Sequence, residues 1–172
     1  MRPTLDNIRG LPDFASLYRW NLIFDTPPSG IAAPTTEELN LRCMSATIPK
    51  ATGNEFPITI RGHKTRNPGI WDTSGAITLT FIETIDNKVL DFIKNWREAC
   101  WETNTGVSRT KQDLIAIIRL ERLDRQDNPI REYKLEAFLS DYTSGDDLVA
   151  EGGESFNPSI TLTYDKFEEK SI

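Results

Sequence analysis

The sequence predicts a mainly β protein of the α+β class, a barrel or sandwich of about seven strands with one amphipathic helix packed on it. Two observations indicate this class. Most of the chain alternates apolar and polar residues between turn signals, which is the pattern of half-buried strands. One stretch has helical spacing instead, with Val89, Ile93, Trp96 and Cys100 on one face.

The first quarter of the chain predicts two strands and two loops. Residues 1–16 contain two prolines and a glycine without periodicity, so we expect an irregular N-terminal arm. Residues 17–24 and 39–45 alternate as strands do. The Pro-rich stretch 25–38 between them predicts a long exposed hairpin loop, and 46–55 predicts a second loop.

The central stretch predicts two strands and then the helix. Residues 56–66 alternate as a strand, and Asn67-Pro68-Gly69 is a turn signal. Residues 76–85 form the next strand. It places apolar side chains on one face (Ile77, Leu79, Phe81, Ile85) and threonines on the other (Thr78, Thr80, Thr84). Asp86 is the expected N-cap of the helix, and no second strong helix is expected.

The last third predicts a hairpin, an acidic loop and a final strand. Residues 113–123 are the most apolar strand, and 130–139 returns beside it after a turn. Residues 141–157 are rich in Gly, Asp and Glu and predict an exposed loop. A strand over 158–164 and a frayed charged tail over 165–172 complete a single domain spanning 1–172.

Composition restricts the function. The formal net charge is −6 and the pI is about 4.9, so the chain lacks the excess of Lys and Arg that sequence-specific DNA binding requires. The two cysteines have no metal-site spacing and are expected to be isolated thiols. The sequence opens without the apolar core of a leader peptide, and no apolar run approaches membrane length.

The residue pattern offers no catalytic site. His63 is the only histidine, and no nucleophile motif accompanies it. The acidic loop is the one candidate for calcium, but its spacing does not match an EF-hand. We therefore expect no catalytic residue, no metal site and no cofactor. Trp71 follows a turn signal, and a large aromatic residue there favours a contact with another element or subunit.

Several short motifs in a fixed order resemble the tail tube proteins of contractile-tailed, T4-like bacteriophages, which are related to the tubes of type VI secretion and of injection particles. The motifs are Asp13-Phe-Ala with Leu17-Tyr-Arg-Trp-Asn-Leu, Cys43-Met-Ser-Ala-Thr-Ile-Pro49, Ile60-Arg-Gly-His-Lys with Pro68-Gly-Ile-Trp, Thr80-Phe-Ile-Glu-Thr-Ile-Asp, Leu90-Asp-Phe-Ile-Lys-Asn-Trp96 and Tyr133-Lys-Leu-Glu-Ala-Phe-Leu. Their shared order carries the resemblance. The loops at 25–38 and before the last strand depart from the family pattern.

The resemblance implies a structural virion protein. Such proteins form six-membered rings whose sheets join into a continuous inner barrel, and the rings stack into a tail tube inside a contractile sheath. DNA passes through the lumen without specific binding. The implied partners are copies of the chain itself, the tail sheath protein, and baseplate, tube-initiator and tape-measure proteins. The implied location is the phage tail, after assembly in the host cytoplasm.

Other interpretations remain open at this stage. A tube-initiator or baseplate relative would have the same fold, and so would the tube of a phage-derived injection system. A monomeric β-sandwich binding module is the alternative from a different class. An enzyme is disfavoured by the missing nucleophile and base pairs. The sequence does not define the host, the tube length or the strand faces that line the lumen.

The resemblance and the residue pattern together nominate four surfaces. An inter-ring loop comprises Ala46, Thr47, Ile48, Pro49, Lys50, Asn54 and Glu55. An inter-subunit surface comprises Arg61, His63, Lys64, Arg66, Trp71, Asp146 and Asp147, although a solvated basic surface is an equal alternative for its cations. Lumen-facing residues are Thr78, Thr80, Thr161 and Thr163, and sheath-facing residues are Lys94, Arg97 and Glu98.

Overall fold

A computed structural model describes residues 16–145 and 155–172, together with Leu5 and Arg9. Eight strands and three helices are present in these residues. In chain order they are β1 (Trp20–Thr26), α1 (Thr36–Arg42), β2 (Cys43–Ala46), β3 (Thr52–Ile60), β4 (His63–Asp72), β5 (Gly75–Phe81), α2 (Lys88–Cys100), α3 (Lys111–Leu114), β6 (Ala116–Leu123), β7 (Pro129–Thr143) and β8 (Ser159–Ser171). The predicted arm at 1–16 lies almost wholly outside the described residues.

Six strands form one antiparallel sheet in the order β1-β6-β7-β8-β5-β2, and the sheet curls into a half-barrel. The predicted mainly β class is therefore confirmed. Alternation sets its two faces: Ile77 and Leu79 on β5 are fully buried, while Thr78 between them is exposed. Their partners on β8 continue the pattern, because Ile77 stands opposite Leu162 and Thr78 opposite Thr161.

Helix α2 packs its apolar stripe on the core face of the sheet, as the sequence predicted. Its four buried side chains are Val89, Phe92, Ile93 and Trp96. The indole nitrogen of Trp96 donates a hydrogen bond to the Leu114 carbonyl oxygen at 3.1 Å, so its one polar atom is satisfied inside the core. The N-cap residue is Asn87 rather than the predicted Asp86, and its φ is +52°.

The strand predicted at 39–45 is wrong over most of its length. Residues Thr36–Arg42 form α1, and only Cys43–Ala46 is extended. A capping box explains the helix, because the Thr35 hydroxyl accepts from the Glu38 backbone N–H while the Glu38 carboxylate accepts from the Thr35 N–H. The predicted loop 25–38 thus ends in a helical turn. Two further helices beyond the predicted one, α1 and α3, are short.

Helix α1 covers the outer edge of β1. The Leu22 backbone N–H donates to the Asn40 side-chain oxygen at 2.8 Å, and the Thr36 hydroxyl donates to the Phe24 carbonyl oxygen at 2.9 Å. These contacts satisfy backbone groups that an edge strand would otherwise leave open. One side of the half-barrel is therefore closed by the chain itself.

A separate two-stranded sheet, β3–β4, contains Thr52–Glu55 of the predicted loop 46–55 and the predicted turn at 67–69, while residues 47–51 lie outside any strand as predicted. The turn lies instead at Arg61-Gly62, where both residues have positive φ. Pro68 and Gly69 lie inside β4 at a register shift, where Gly69 and Ile70 together stand against the single β3 residue Asn54. Gly69 is required there, since a Cβ atom would stand 2.8 Å from the Asn54 carbonyl oxygen.

The carboxyl-terminal tail is not frayed as predicted. Strand β8 continues to Ser171 and pairs with the first half of β7, where Glu132 opposes Lys170 and Lys134 opposes Glu168. These opposite charges explain why a charged tail is extended and paired. Strand β7 also continues to Thr143, into the predicted loop 141–157, and residues 146–154 lie outside the described residues.

One side chain of the predicted apolar face of β5 is misplaced. Ile85 is fully exposed, because the strand ends at Phe81 and the chain turns before α2. No helix among the described residues is long and apolar enough to cross a membrane.

Candidate assembly surface

The β3–β4 hairpin (Thr52–Asp72), here called the ribbon, is the most exposed part of the described chain. Every residue from Thr52 to Arg66 is exposed. Eight steps of about 3.4 Å along the antiparallel strand β3 give the ribbon a length of roughly 27 Å. An isolated two-stranded hairpin is marginally stable in water. Since no other described element packs along it, a ribbon of this length is typical of an interaction surface.

The ribbon has one apolar face and one cationic face. Phe56, Ile58 and Ile60 alternate on one face of β3, and they are 50%, 40% and 62% exposed. On the opposite face, Lys64 stands across from Thr59 and Arg66 across from Pro57. Exposed apolar rows of this kind are typical of interaction sites.

The same ribbon contains most residues of the predicted inter-subunit surface. Arg61 is in the turn, and His63, Lys64, Arg66 and Trp71 are on β4. His63 stands opposite Ile60, which places it on the apolar face rather than on the face of Lys64 and Arg66. Two other predicted members, Asp146 and Asp147, lie outside the described residues.

The predicted inter-ring residues fall into two structural groups. Asn54 and Glu55 belong to the ribbon, and Glu55 forms an ion pair with Arg66 at 2.6 Å. The other five form the segment from the end of β2 to the ribbon root: Ala46, Thr47, Ile48, Pro49 and Lys50. The structure therefore joins two predicted surfaces into one continuous element.

Two hydrogen bonds from backbone N–H groups and a buried proline hold the root of the ribbon to the sheet, and one contact packs the two ribbon strands together. The Thr47 backbone N–H donates to the Thr78 carbonyl oxygen at 3.0 Å, and Pro49 is buried. The Lys50 N–H donates to the buried Tyr164 hydroxyl at 3.3 Å. The Trp71 ring lies against Gly53, where a Cβ atom would stand 3.1 Å from the indole. These contacts fix the base of an otherwise exposed ribbon.

The four predicted luminal threonines share one face of the sheet. Thr78 and Thr161 are cross-strand partners, and Thr80 and Thr163 extend the patch along β5 and β8. Thr78 is exposed and the other three are half-buried, while the alternate residues point into the core. The four threonines are uncharged and able to hydrogen bond with water, and the exposed Asp141 on β7 stands opposite Thr161 on the same face.

The predicted sheath-facing residues lie in the middle and the last turn of α2, and two of them already have partners. Arg97 pairs with Glu98, and both contact Thr103 in the following loop. Hydrogen bonds from the Thr103 backbone and hydroxyl hold the pKa of Glu98 below its ordinary value. Lys94 is exposed. This side chain is the most accessible of the three.

An apolar cleft of about 340 Å³, which the sequence did not predict, is the further candidate site. Its apolar lining is Leu17, Trp20, Ala46, Ile48, Leu120 and Tyr133, with Ser16, Arg19, Glu121 and Arg122 at its polar margin. These residues come from the start of β1, the end of β2, and β6 and β7. Only the exposed Leu17 beside an aromatic strand hinted at such a site.

The polar groups beside the cleft form an ordered ionic network. Arg119 binds both carboxylate oxygens of Asp25, at 2.7 and 2.8 Å, and also contacts Glu121 at 3.2 Å and Glu132 at 3.5 Å. The Asp25 carboxylate raises the pKa of Arg119. Arg19 is bound in turn by Asp127 at 2.7 Å. These charges hold the rim of the cleft in place.

The two cysteines are free thiols, and burial raises the pKa of Cys43 to about 12. Within residues 16–145 and 155–172, no group of three or more His, Cys, Asp or Glu side chains is arranged to hold a metal ion.

Comparisons with known proteins identify solved structures that have a similar fold. No family model and no curated protein matches the sequence. Among solved structures, the chain resembles the tube-terminating cap of the anti-feeding prophage, with 14% identity, a TM-score of 0.66 and coverage of 95% of both chains. It is also similar to a chain of the sheath/tube terminator of an extracellular contractile injection system, with 13% identity, a TM-score of 0.66, and coverage of 94% of this chain and 100% of that chain.

A third similar chain comes from the sheath–tube complex of the same contractile injection system. The identity is 14%, the TM-score is 0.63, and the match covers 99% of this chain and 100% of that one. The resemblance expected from the sequence is therefore confirmed at the level of fold: the structural neighbours are tube and tube-terminator components of contractile injection systems.

Proposed function

We propose that this chain is a structural subunit of a contractile-tail type tube, which assembles from copies of the chain and has no catalytic role. The observation that carries the proposal is the exposed, amphipathic ribbon on a tube-protein fold. Three apolar side chains of the ribbon stay exposed to water unless another surface covers them: Phe56, Ile58 and Ile60. Matches that span nearly all of the chain in tube and terminator structures support the same role.

The finer proposal is a six-membered ring that stacks into a hollow tube. Sheets of neighbouring subunits would join into an inner barrel, and the threonine face of β5 and β8 would line its lumen. Such a face carries few cations to take the place of the counterions of DNA or of another anionic cargo. The cargo would therefore pass along the lumen without binding to it. The ribbon and its root would contact the adjacent subunit or ring, and Lys94 on α2 would face a surrounding sheath.

The environment implied by this role is a phage tail or a phage-derived injection particle. In either particle the proposed partners are copies of the same chain, the sheath subunit, and the baseplate and tape-measure proteins. A cofactor has no part in the proposed role. The polar threonine face and the open ribbon are the features that such an assembly would use.

A terminator or initiator of the tube is the second candidate. Two of the matched structures are a tube-terminating cap and a sheath/tube terminator, and another is a baseplate. Such a protein would form one ring on an existing template rather than a long tube. The two candidates share the fold and differ in whether ring-to-ring contacts repeat.

The test is negative-stain electron microscopy with light scattering over a concentration series. The wild-type chain is expected to form hollow tubes or six-fold rings. A matched variant replaces Pro57–Arg66 with Asn-Gly, which joins Phe56 to Asn67 through a two-residue hairpin turn. It should keep the unfolding transition of the wild type, because the removed residues are exposed.

The outcomes separate the candidates. Tubes from the wild type and rings from the shortened variant would support a tube subunit whose ribbon makes the ring-to-ring contact. Tubes from the wild type and monomers from the variant would place the ribbon between subunits of one ring. Rings that never stack would favour a terminator. A wild-type chain that remains monomeric at every concentration, with and without a tube template, would overturn the proposal.

A further inference from the structure

We propose that the apolar cleft receives the apolar face of the ribbon from a second copy of this chain, so that copies join head to tail. This inference rests on the proposed self-assembly and assigns its donor and acceptor surfaces. The donor is the row formed by Phe56, Ile58 and Ile60, and the acceptor is the cleft beside β1, β6 and β7.

The position of the cleft excludes its own ribbon as the occupant. Ala46 and Ile48 line the cleft, and the ribbon begins at Thr52, only a few residues later. The ribbon turn is roughly 27 Å farther along β3. For Ile58 or Ile60 to reach the cleft of the same chain, the β3–β4 pairing would have to break. A second copy can supply the same side chains without that cost.

The two surfaces match in chemistry and size. The cleft is lined by Trp20, Leu120, Tyr133 and other apolar residues, and its volume of about 340 Å³ suits a few side chains rather than a whole element. Leu17 at its margin is 97% exposed and Ile48 is 47% exposed. Contact with the ribbon would remove apolar surface from water on both partners at once.

Charge favours a second copy over an unrelated apolar partner. The segment Pro57–Arg66 carries three of the 20 cationic side chains and none of the 26 acidic ones, so the remaining chain has 17 cationic and 26 acidic side chains. At the cleft margin itself the charges are mixed, because Glu121 is bound by Arg119, Arg19 is bound by Asp127, and Arg122 also lines the cleft. The attraction is therefore between the cationic ribbon tip and the acidic remainder of the chain as a whole.

The arrangement has a consequence for symmetry. The donor and the acceptor are different surfaces of one chain, so each bound copy presents a free ribbon or a free cleft to the next copy. Such heterologous contacts close into a ring when the rotation permits, and otherwise propagate as a filament. The inference thus explains growth beyond a dimer.

Disulfide cross-linking between two single variants tests the contact directly. Ile58→Cys places a thiol on the apolar face of the ribbon, and Leu17→Cys places one at the exposed cleft margin. When the two proteins are mixed and oxidised, we expect mixed dimers, and the double variant should give a ladder of multimers. Ile85→Cys, a fully exposed site away from the cleft, replaces Leu17→Cys in the control. Equal yields from the test and control mixtures would overturn the inference.

A second measurement uses variants whose folding is checked. It also distinguishes a wrong assignment of the cleft from a wrong proposed function. Ile48→Lys puts a charge in the cleft at a side chain that is 47% exposed, and Ile85→Lys puts the same charge at the control site. Both should fold, as judged by circular dichroism and unfolding. The dissociation constant for self-association should rise by at least about tenfold in the first variant and stay unchanged in the second.

The two proposals fail in different ways. If the wild type assembles but Ile48→Lys assembles equally well and no specific cross-link forms, the cleft assignment is wrong and the proposed tube role stands. If the wild type does not self-associate with or without a template, both proposals fail.

Discussion

At the scale of single residues, Arg42 links α1 to the entrance of α2. It contacts Glu83 at 3.1 Å and binds both oxygens of Asp86 at 3.1–3.2 Å. The Glu83 carboxylate also accepts from the Leu90 N–H at 2.6 Å, in the first turn of α2. The N-cap residue Asn87 makes no side-chain capping bond. A neighbouring carboxylate therefore satisfies a helix donor that the N-cap leaves open.

This ionic contact predicts an acid-sensitive stability. The Arg42 guanidinium, together with the Thr84 hydroxyl, holds the pKa of Asp86 well below its usual range. Because the pKa is lowered in the folded state, the stabilisation is present above the unfolded-state pKa of about 4 and is lost as the pH falls toward the lower folded value. Asp86→Asn should therefore unfold more easily than wild type at pH 7, and the difference should shrink below about pH 4.

The measurement is urea unfolding of both proteins between pH 7 and pH 2.5. Asp91→Asn, an exposed acidic residue in the first turn of the same helix, is the control. A difference between Asp86→Asn and wild type that stays constant across this range would contradict the assignment.

At the scale of elements, α2 and the ribbon play opposite parts. The helix buries its apolar stripe inside the chain, while the ribbon leaves its apolar row in solvent. A regular spacing of apolar residues thus produces a buried face in α2 and an exposed face in the ribbon. The difference is whether another element of the chain covers the face, as the half-barrel sheet covers the stripe of α2.

Two tryptophans, one in the second half of α2 and one directly after its last residue, test this contrast. Trp96 is fully buried, with its ring centroid 5.5 Å from that of Phe92, whereas Trp101 is 58% exposed. Trp96→Ala should lower the free energy of unfolding by about 3–5 kcal/mol, because it leaves a cavity and an unpaired Leu114 carbonyl. Trp101→Ala should lower it by less than about 1 kcal/mol. Chemical denaturation measures both, and similar losses would show that α2 does not anchor the core.

At the scale of the whole molecule, association between copies depends more on the separation of charge along the chain than on its net charge. A net charge of −6 suggests subunits that repel one another, but the ribbon tip is cationic and the remaining chain is acidic. Oppositely charged surfaces on one chain favour ordered association and steer the approach of copies. Assembly of this protein should therefore respond to ionic strength.

The corresponding prediction concerns the dependence of self-association on salt concentration. Raising NaCl from 50 to 500 mM should weaken wild-type self-association, since the Debye length falls from more than 10 Å to less than 5 Å. A variant with Arg61, Lys64 and Arg66 replaced by Gln should associate more weakly at low salt and respond less to added salt. Static light scattering measures both. Lys94→Gln removes one exposed cation outside the ribbon as a control, and an equal salt response in all three proteins would contradict the role of the ribbon charges.

The sequence by itself determined the fold class, the amphipathic helix, and the alternating faces of β5 and β8. These are local patterns, in which a period of two or 3.6 residues directly specifies which side chains face the core. The order of short motifs was enough to predict the tube-protein fold, which the structural neighbours confirm. It also nominated residues such as Lys64 and Arg66, which proved to share one exposed element.

Only the tertiary structure decided how these elements meet. The turn signal at Asn67-Pro68-Gly69 was misleading because an extra residue in β4, opposite Asn54, accommodates it inside a strand. Leu39 in α1 was read as part of a strand because one buried residue in a short helix leaves no period to detect. The cleft joins four strands that are distant in sequence, so neither local pattern nor composition could specify it. Long-range packing gives the ribbon and the cleft their separate positions.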